Sequence, residues 1–451
     1  LTGVFVSYIH SNNNETAGAY ARTCGKGRKA TIEGGTQMSA ATTSVLERDP
    51  FSIELMSNPL PFYKELRDTA PVKYYEEYDT YFFSRFDDVW EVLRVGDNAF
   101  VATETNLPTP QYLRTHKNNG APKFASTSPM AAGPSLPSPQ YEEMRIAHIA
   151  PLRPKSVAAL QEFVLDLVRS RLQELLPRGK FDLIADYAGL TAASVICFLF
   201  GIPLSKAADI LRCVNEIAKY DPLKGGVDLT SFFVSLKQYI VPAIQVRREA
   251  GADGSNALID GLISYRTSPD GRALSDNEIA DQLVCVMVGG MESAPKVTAA
   301  GILELWKRPD QLETVRADLE TNVPIAMEEI IRYCAPAQYT FRTAHKDVTV
   351  AGQQVKAGQR VACLLHSASR DEREYQEPDE FIWNRPIQRV ISFGMGQHHC
   401  IGKHLAKLEV RILVREFLAQ VSEFEFVMDD AVRNPSCFQR GWISLPVIVK
   451  R

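Results

Sequence analysis

The stretch FGMGQHHCIG, residues 393–402, places one cysteine, Cys400, behind two glycines and two histidines, just ahead of a segment patterned as an amphipathic helix. Apolar residues at 401, 405, 408, 412 and 417 mark one face of that helix. A helix beginning right after Cys400 aims free N–H groups and a partial positive charge at the sulfur, which favours thiolate over thiol. Gly394 and Gly396 let the preceding loop curl so that its own amides point the same way. A sulfur held like this can be a buried structural thiol, a zinc ligand beside His398, His399 and His404, or the axial ligand of a haem iron.

The remainder of the 451 residues narrows the choice. With 45% hydrophobic and 23% charged residues the chain can bury a large core, and a net charge of -4 gives no general attraction to nucleic acid or an anionic membrane. The eight cysteines, at 24, 197, 213, 285, 334, 363, 400 and 437, lie far apart without short repeated spacings. That argues against a disulfide framework and for a reducing, cytoplasmic setting. No second Cys or His pair stands at a spacing that would complete a zinc site with Cys400. Residues 1–37 show no sustained periodicity, and the apolar opening from Val4 to Ile9 is too short to span a membrane. Met38 is read as the natural start, with 1–37 a disordered leader or a segment foreign to the natural protein.

From Pro50 to Phe100 the pattern predicts a helix over PLPFYKELRDTA, strands over VKYYEE and TYFFSR, and a helix over FDDVWEVLRVG. Residues 104–140 are rich in Pro, Ser, Thr and Gly, and a loop that long is expected to be functional, here a substrate lid. Helical periodicity dominates 141–335, with breaks near Gly179, Pro203, 221–226 and 268–274. Short strands follow over 337–385, and WISLPVIVK closes the chain as a strand. The fold class is mainly α, of the α+β type, with small segregated sheets, in one large domain.

Every fixed position of FGMGQHHCIG matches the haem-binding loop of the cytochromes P450, Phe-Gly-x-Gly-x-His/Arg-x-Cys-x-Gly. The resemblance makes Cys400 the metal ligand, in a loop formed by Phe393, Gly394, Gly396, His398, Ile401 and Gly402. A second motif supports it: in EEIIRY, Glu329 and Arg332 share a helix face and resemble the family's Glu-x-x-Arg ion pair. Arg385, in FIWNRP, resembles the arginine that joins that pair, with Ile382 where Asp is usual.

A third stretch, VMVGGMESAPK at 286–296, carries Gly289, Gly290 and Pro295 inside a helix expected to begin after LSDNEIA. Each interior glycine costs roughly 1 kcal/mol against Ala, and the proline removes a backbone donor, so this helix is read as making room for something. It resembles the family's distal helix, with Glu292 on the acid and Ser293 where threonine is usual. By that likeness the two deliver protons, and the serine is freer at χ1 than threonine. In PSPQYEEMRIAHIAPLRP, Arg145 falls on the family's propionate-binding arginine and Tyr141 on its histidine. Arg342 and His398 match two further propionate partners. Val390 stands where a third histidine is usual, and Arg389 is the candidate to compensate.

The likeness implies a triangular, mostly helical single domain over 38–451 that binds haem b. It implies activation of O2 and insertion of one oxygen atom into a hydrophobic small molecule, by hydroxylation or O-dealkylation. The chain ends about fifty residues after Cys400, so electrons are expected from a separate ferredoxin and its NAD(P)H-dependent reductase. These would dock on the basic stripe of Lys403, Lys407, Arg411 and Arg415. Substrate contacts are expected from Val286, Gly289, Ala337, Thr340, Phe438, the loop 104–137 and the helix pair near 205–245. Arg114, His116, Lys117 and Lys123 are candidates to hold a substrate carboxylate. The chain is expected to be a monomer that binds neither nucleic acid nor membrane. Two other readings stand beside this one: a peroxide-driven peroxygenase, against which the retained Glu292 and Ser293 speak, and a haem-binding protein without catalysis.

Overall fold

The computed structural model describes residues 44–102, 104, 108–117, 136, 138–217, 229–267, 270–434 and 438–450. The leader 1–37, the break at 221–226, Lys123 and most of the loop 104–137 lie outside the described residues. Contacts group Val45–Arg451 as one unit.

A long helix, Asp276–Trp306, runs through the core. It begins earlier than the sequence pattern suggests, because Ser275 and Glu278 form a reciprocal cap. The Ser275 hydroxyl accepts from the Glu278 N–H at 3.3 Å, and the Glu278 carboxylate accepts from the Ser275 N–H at 2.9 Å. The helix continues without interruption across Gly289, Gly290 and Pro295. Packing explains that continuity. The helices Leu190–Phe200, Leu229–Glu249, Leu319–Cys334 and Lys403–Gln420 all lie against it, and burial on several sides outweighs the propensity cost of each glycine. Two glycines serve that packing directly. A Cβ at Gly290 would stand 2.5 Å from Ile196, and one at Gly301 2.5 Å from Ile330.

The segment Leu183–Phe200 is apolar enough by composition to cross a membrane, yet 78% of it is buried inside the fold, as a core helix requires. Strands at Val72–Tyr75, Thr80–Phe83 and within 337–385 fall where the pattern predicts them. The closing stretch WISLPVIVK divides at Leu445 into Trp442–Ser444 and Pro446–Lys450, and Lys180–Asp182 and Glu423–Phe426 are further strands that the pattern does not predict. A five-stranded sheet has the spatial order Val72–Tyr75, Thr80–Phe83, Arg360–Cys363, Thr340–Ala344, Phe100–Val101. Only the pairing of Thr80–Phe83 with Arg360–Cys363 is parallel. The closing strand Pro446–Lys450 sits between Lys180–Asp182 and Glu423–Phe426.

Glu329 and Arg332, on the helix Leu319–Cys334, form a fork with Nε–Oε2 at 2.6 Å and Nη2–Oε1 at 2.7 Å, both side chains fully shielded from solvent. Arg385 adds a third group, its Nε 3.2 Å from each Glu329 oxygen. The Ile382 N–H donates to the same carboxylate at 2.9 Å. That bond uses backbone alone, which is why isoleucine is tolerated there. Removing one member of a buried ionic cluster leaves the others uncompensated, at a cost of about 3–5 kcal/mol. Glu329→Gln is therefore expected to lower unfolding stability by that amount or to prevent folding, as measured by urea denaturation.

Candidate active site

The loop before the helix Lys403–Gln420 is closed by its own backbone: the Cys400 N–H donates to the Phe393 carbonyl at 2.8 Å, and the Gly394 N–H to Ile391 at 2.8 Å. Gly394 and Gly396 hold φ of 67° and 72°, the left-handed region that glycine enters freely. Gly396 is required twice over, since a Cβ there would lie 2.2 Å from the Leu93 carbonyl oxygen. At Gly394 a Cβ would meet nothing within 4 Å, so the loop borders open space on that side.

Cys400 is exposed by area although protein atoms surround it densely. Burial pushes its thiol pKa up. The Gly402 and Lys403 N–H groups and the Arg145 and Lys403 charges pull the other way without prevailing. The helix start acts with the predicted sign, and burial opposes it.

On the long helix the open strip is Val286, Gly289 and Ser293, three and four residues apart and so on one face. A Cβ at Gly289 would meet nothing within 4 Å. Gly290, expected to serve the cofactor, instead abuts Ile196, because one residue along a helix turns the side chain by about 100°. The same rotation separates the expected proton-delivery pair. The Ser293 hydroxyl donates to the Gly289 carbonyl at 2.9 Å. Glu292 is buried and bound to Lys296 at 2.6 Å and to the Gln439 amide at 2.8 Å.

A third group of residues gathers beside the cysteine loop. Tyr141 stacks on His398 with ring centroids 4.1 Å apart. Arg145 donates to the Tyr141 hydroxyl and to the His399 carbonyl, each at 2.9 Å. His398 Nε2 lies 3.2 Å from the Asp97 carboxylate, while its buried Nδ1 has no partner among the described residues. Burial pushes the His398 pKa down, against the pull of Asp97. Burial alone would raise Asp97, yet His398, Ser138 and Arg342 hold it below the usual carboxylate range. Arg342 is buried, donates to the Thr340 hydroxyl at 3.1 Å and the Phe341 carbonyl at 2.6 Å, and forms no ion pair among the described residues. Burial lowers its pKa, and the charge of Asp97 pulls the other way without prevailing. An unpaired buried guanidinium, an unpaired imidazole nitrogen and a second guanidinium make a receptor for carboxylates, so these residues fit the propionates of a haem.

Other expectations fall differently. Arg389 pairs with Glu374 and with Asp87 at 2.9 Å and lies over the Phe86 ring, so it does not replace the missing histidine at Val390. In the basic stripe, Lys407 is paired with Glu328 and Arg415 with Glu320 and Glu416. Lys403 and Arg411 have no acidic partner among the described residues. Arg114 is taken up by Asp49 and Glu77, which removes it as a carboxylate-holding candidate. Lys117 donates to the Glu76 carbonyl and His116 stacks on Tyr112, so neither is held ready for a ligand. His399 is engaged by Gly396 and Arg145, and among the described residues no three His, Cys, Asp or Glu side chains converge. Ala337 bridges Gln439, and Phe438 packs on Tyr339 at 5.8 Å, which places both on one wall.

Asp97, Lys296 and Gln439 were missed by sequence reasoning. Only Lys296 carried a signal, its i+4 spacing from Glu292. Asp97 meets a residue 301 positions away, which no local pattern encodes. Gly396→Ala is expected to destabilise the fold by more than about 2 kcal/mol, through clash and strain together. Gly394→Ala, strained only in its backbone, should cost roughly 1–2 kcal/mol. Thermal denaturation of the two variants side by side checks the difference.

Residues 203–449, more than half of the chain, match the family model described as cytochrome P450. Cytochrome P450 130 of Mycobacterium tuberculosis is 28% identical over 403 residues, covering 87% of this chain and 95% of that protein. Pulcherriminic acid synthase of Bacillus subtilis is 27% identical over 424 residues, covering 88% and 96%. The crystal structure of CYP109E1 from Bacillus megaterium in complex with testosterone has a TM-score of 0.74 at 23% identity, covering 89% of this chain and 100% of that one. The family match takes in the Glu329 cluster and the Cys400 loop, and the fold is that of the solved relatives. This chain belongs to the cytochrome P450 family of monooxygenases, whose cofactor is haem b.

Proposed function

We propose that the protein inserts one atom of O2 into a hydrophobic small molecule by hydroxylation or O-dealkylation, and that Cys400 is the residue that would hold the iron of its haem. The observation that supports this site assignment best is the carboxylate receptor of Arg342, Arg145 and His398 beside an open cysteine sulfur. Bound haem, held through a thiolate, supplies the activation of dioxygen. The chain's own residues do the rest. Gly402 and Lys403 turn their N–H groups to the Cys400 sulfur and temper its charge. Arg145, Arg342 and His398 hold the propionates, with Tyr141 orienting Arg145 and stacking on His398. Phe393 and Ile401 pack the loop against the core. Val286 and Gly289 on the long helix, with Ala337, Thr340 and Phe438 opposite, form the substrate wall. Ser293 moves a proton at its hydroxyl once it leaves the Gly289 carbonyl, and its χ1 freedom loosens the coupling of oxygen use to product.

Electrons come from a ferredoxin and its NAD(P)H-dependent reductase. Lys403 and Arg411, which lack acidic partners among the described residues, offer the charge that would steer it, whereas Lys407 and Arg415 are already neutralised. The described cysteines are free, in keeping with a reducing cytoplasm. Residues 38–451 act as one domain and as a monomer.

The reduced protein under carbon monoxide is expected to show the red-shifted Soret band of thiolate ligation, and Cys400→Ser to lose it; a variant with an unchanged spectrum removes Cys400 from the iron. Arg342→Met should act with opposite signs on two states. Without haem it removes an uncompensated buried cation and raises the unfolding temperature, while in the holoprotein it removes a propionate partner and weakens haem retention. Melting curves of both forms and haem transfer to apomyoglobin measure the two effects.

A further inference from the structure

We propose that Lys296 and Gln439 are positioning residues for proton delivery: they hold the Glu292 carboxylate away from the open strip of Val286, Gly289 and Ser293, and Gln439 must let go before the proton is passed on. The inference rests on the monooxygenase reading above. Glu292 Oε1 accepts from Lys296 Nζ at 2.6 Å, Glu292 Oε2 accepts from Gln439 Nε2 at 2.8 Å, and Lys296 also donates to Gln439 Oε1. The three side chains close a ring. A Lys four residues from a Glu is ordinarily a wet surface pair worth a few tenths of a kcal/mol. Here Lys296 is 4% exposed and Glu292 7%. Burying an ion pair adds little net stability, so stability does not account for the arrangement. Its place does.

On one side of the ring lies a cavity of about 10 Å³, room for one water molecule, bounded by Glu292, Lys296 and Asn215 among apolar neighbours that include Met291 and Pro295. Lys296 is the charged group that faces Glu292 there, Asn215 is neutral, and the other lining residues are apolar. On the other side, a turn of about 100° around the helix, is Ser293 on the open strip. Gln439 belongs to neither side. It rides on the turn next to Phe438, which is stitched to the substrate wall: Gln338 N–H donates to the Phe438 carbonyl at 2.9 Å and Arg440 N–H to Pro336 at 2.7 Å. A substrate seated against Phe438 therefore pulls on the residue that holds the Glu292 carboxylate.

The proton path balances. Cavity water gives a proton to Glu292; the carboxyl group passes it to the Ser293 hydroxyl oxygen as that group's own proton leaves on the open side of the helix. Carboxylate and hydroxyl return to their starting states, and bulk water replaces the proton. Electrons come from the redox partner and do not pass through these residues.

The test uses the full-length holoprotein and needs no known substrate. Lys296→Met leaves a buried carboxylate without a counter-charge, so Glu292 takes up a proton. A carboxyl stretching band should appear in the infrared difference spectrum at neutral pH, vanish in the Glu292→Gln, Lys296→Met double variant, and be absent in Lys296→Arg. Gln439→Leu frees one oxygen of the carboxylate. Reoxidation of the dithionite-reduced protein by dissolved O2 should then speed up roughly tenfold, the scale of one lost hydrogen bond to a charged group, and its rate ratio between H2O and D2O should fall. An unchanged reoxidation rate and isotope ratio in Gln439→Leu, or no new band in Lys296→Met, overturns the proposal. Should Lys296→Met not fold, Gln439→Leu decides alone. The carbon monoxide spectrum separates the two levels: if the wild type lacks the thiolate band, the monooxygenase reading has failed, and if every variant keeps it, only the positioning role is being judged.

Discussion

The carboxylate of Glu329 is the point on which the rest of the fold closes. Two guanidinium groups from distant parts of the chain share it out of reach of water, and their remaining donors reach into irregular backbone. Arg332 takes the carbonyls of Ser369, Pro378 and Glu380, and Arg385 those of Gln376, Glu377 and Glu380. A segment with so little regular hydrogen bonding would otherwise carry unsatisfied carbonyls into the interior. The arginines satisfy them, and so fix the run of chain that leads into the cysteine loop. Ser392 completes the connection by donating to the Ile331 carbonyl at 3.0 Å, one residue from Arg332. The position of Cys400 is thereby set from the helix that carries Glu329.

Charge is arranged differently at the site itself. The Glu329 cluster is closed and self-sufficient, whereas Arg342 and His398 are buried with donors or lone pairs left over. That contrast separates a structural ionic cluster from a binding one. The first is compensated from within, and the second keeps hydrogen-bonding capacity that an anion would take up. Asp97 tempers the second cluster by holding one nitrogen of His398, and the other has no partner among the described residues.

Helix phase accounts for most of the differences between expectation and structure. Gly289 and Gly290, and likewise Glu292 and Ser293, are neighbours in sequence, and a motif treats each pair as a unit. About 100° of rotation puts one member of each pair on the open strip and turns the other toward neighbouring elements. The glycines therefore have different reasons to be glycine: Gly289 borders open space, and Gly290 admits Ile196. The basic stripe on the helix Lys403–Gln420 is divided in the same manner, because acidic residues from other elements neutralise some of its charges and leave Lys403 and Arg411.

What the sequence determined on its own was whatever depends on short-range spacing: the helix after Cys400, the left-handed glycines of its loop, the Glu329–Arg332 pairing and the alternation of the strands. In each case the interacting groups lie within a few residues, so their relation is fixed by backbone geometry. Tertiary structure alone decided which groups are left without partners. That Arg342 has no ion pair among the described residues, that Arg389 meets Asp87 302 positions away, that Asp97 meets His398 301 positions away and that Gln439 reaches Glu292 across 147 all depend on segments far apart in the chain. Desolvation, which lifts the Cys400 thiol against the pull of its helix, is likewise a property of everything packed around a group, and no local pattern records it.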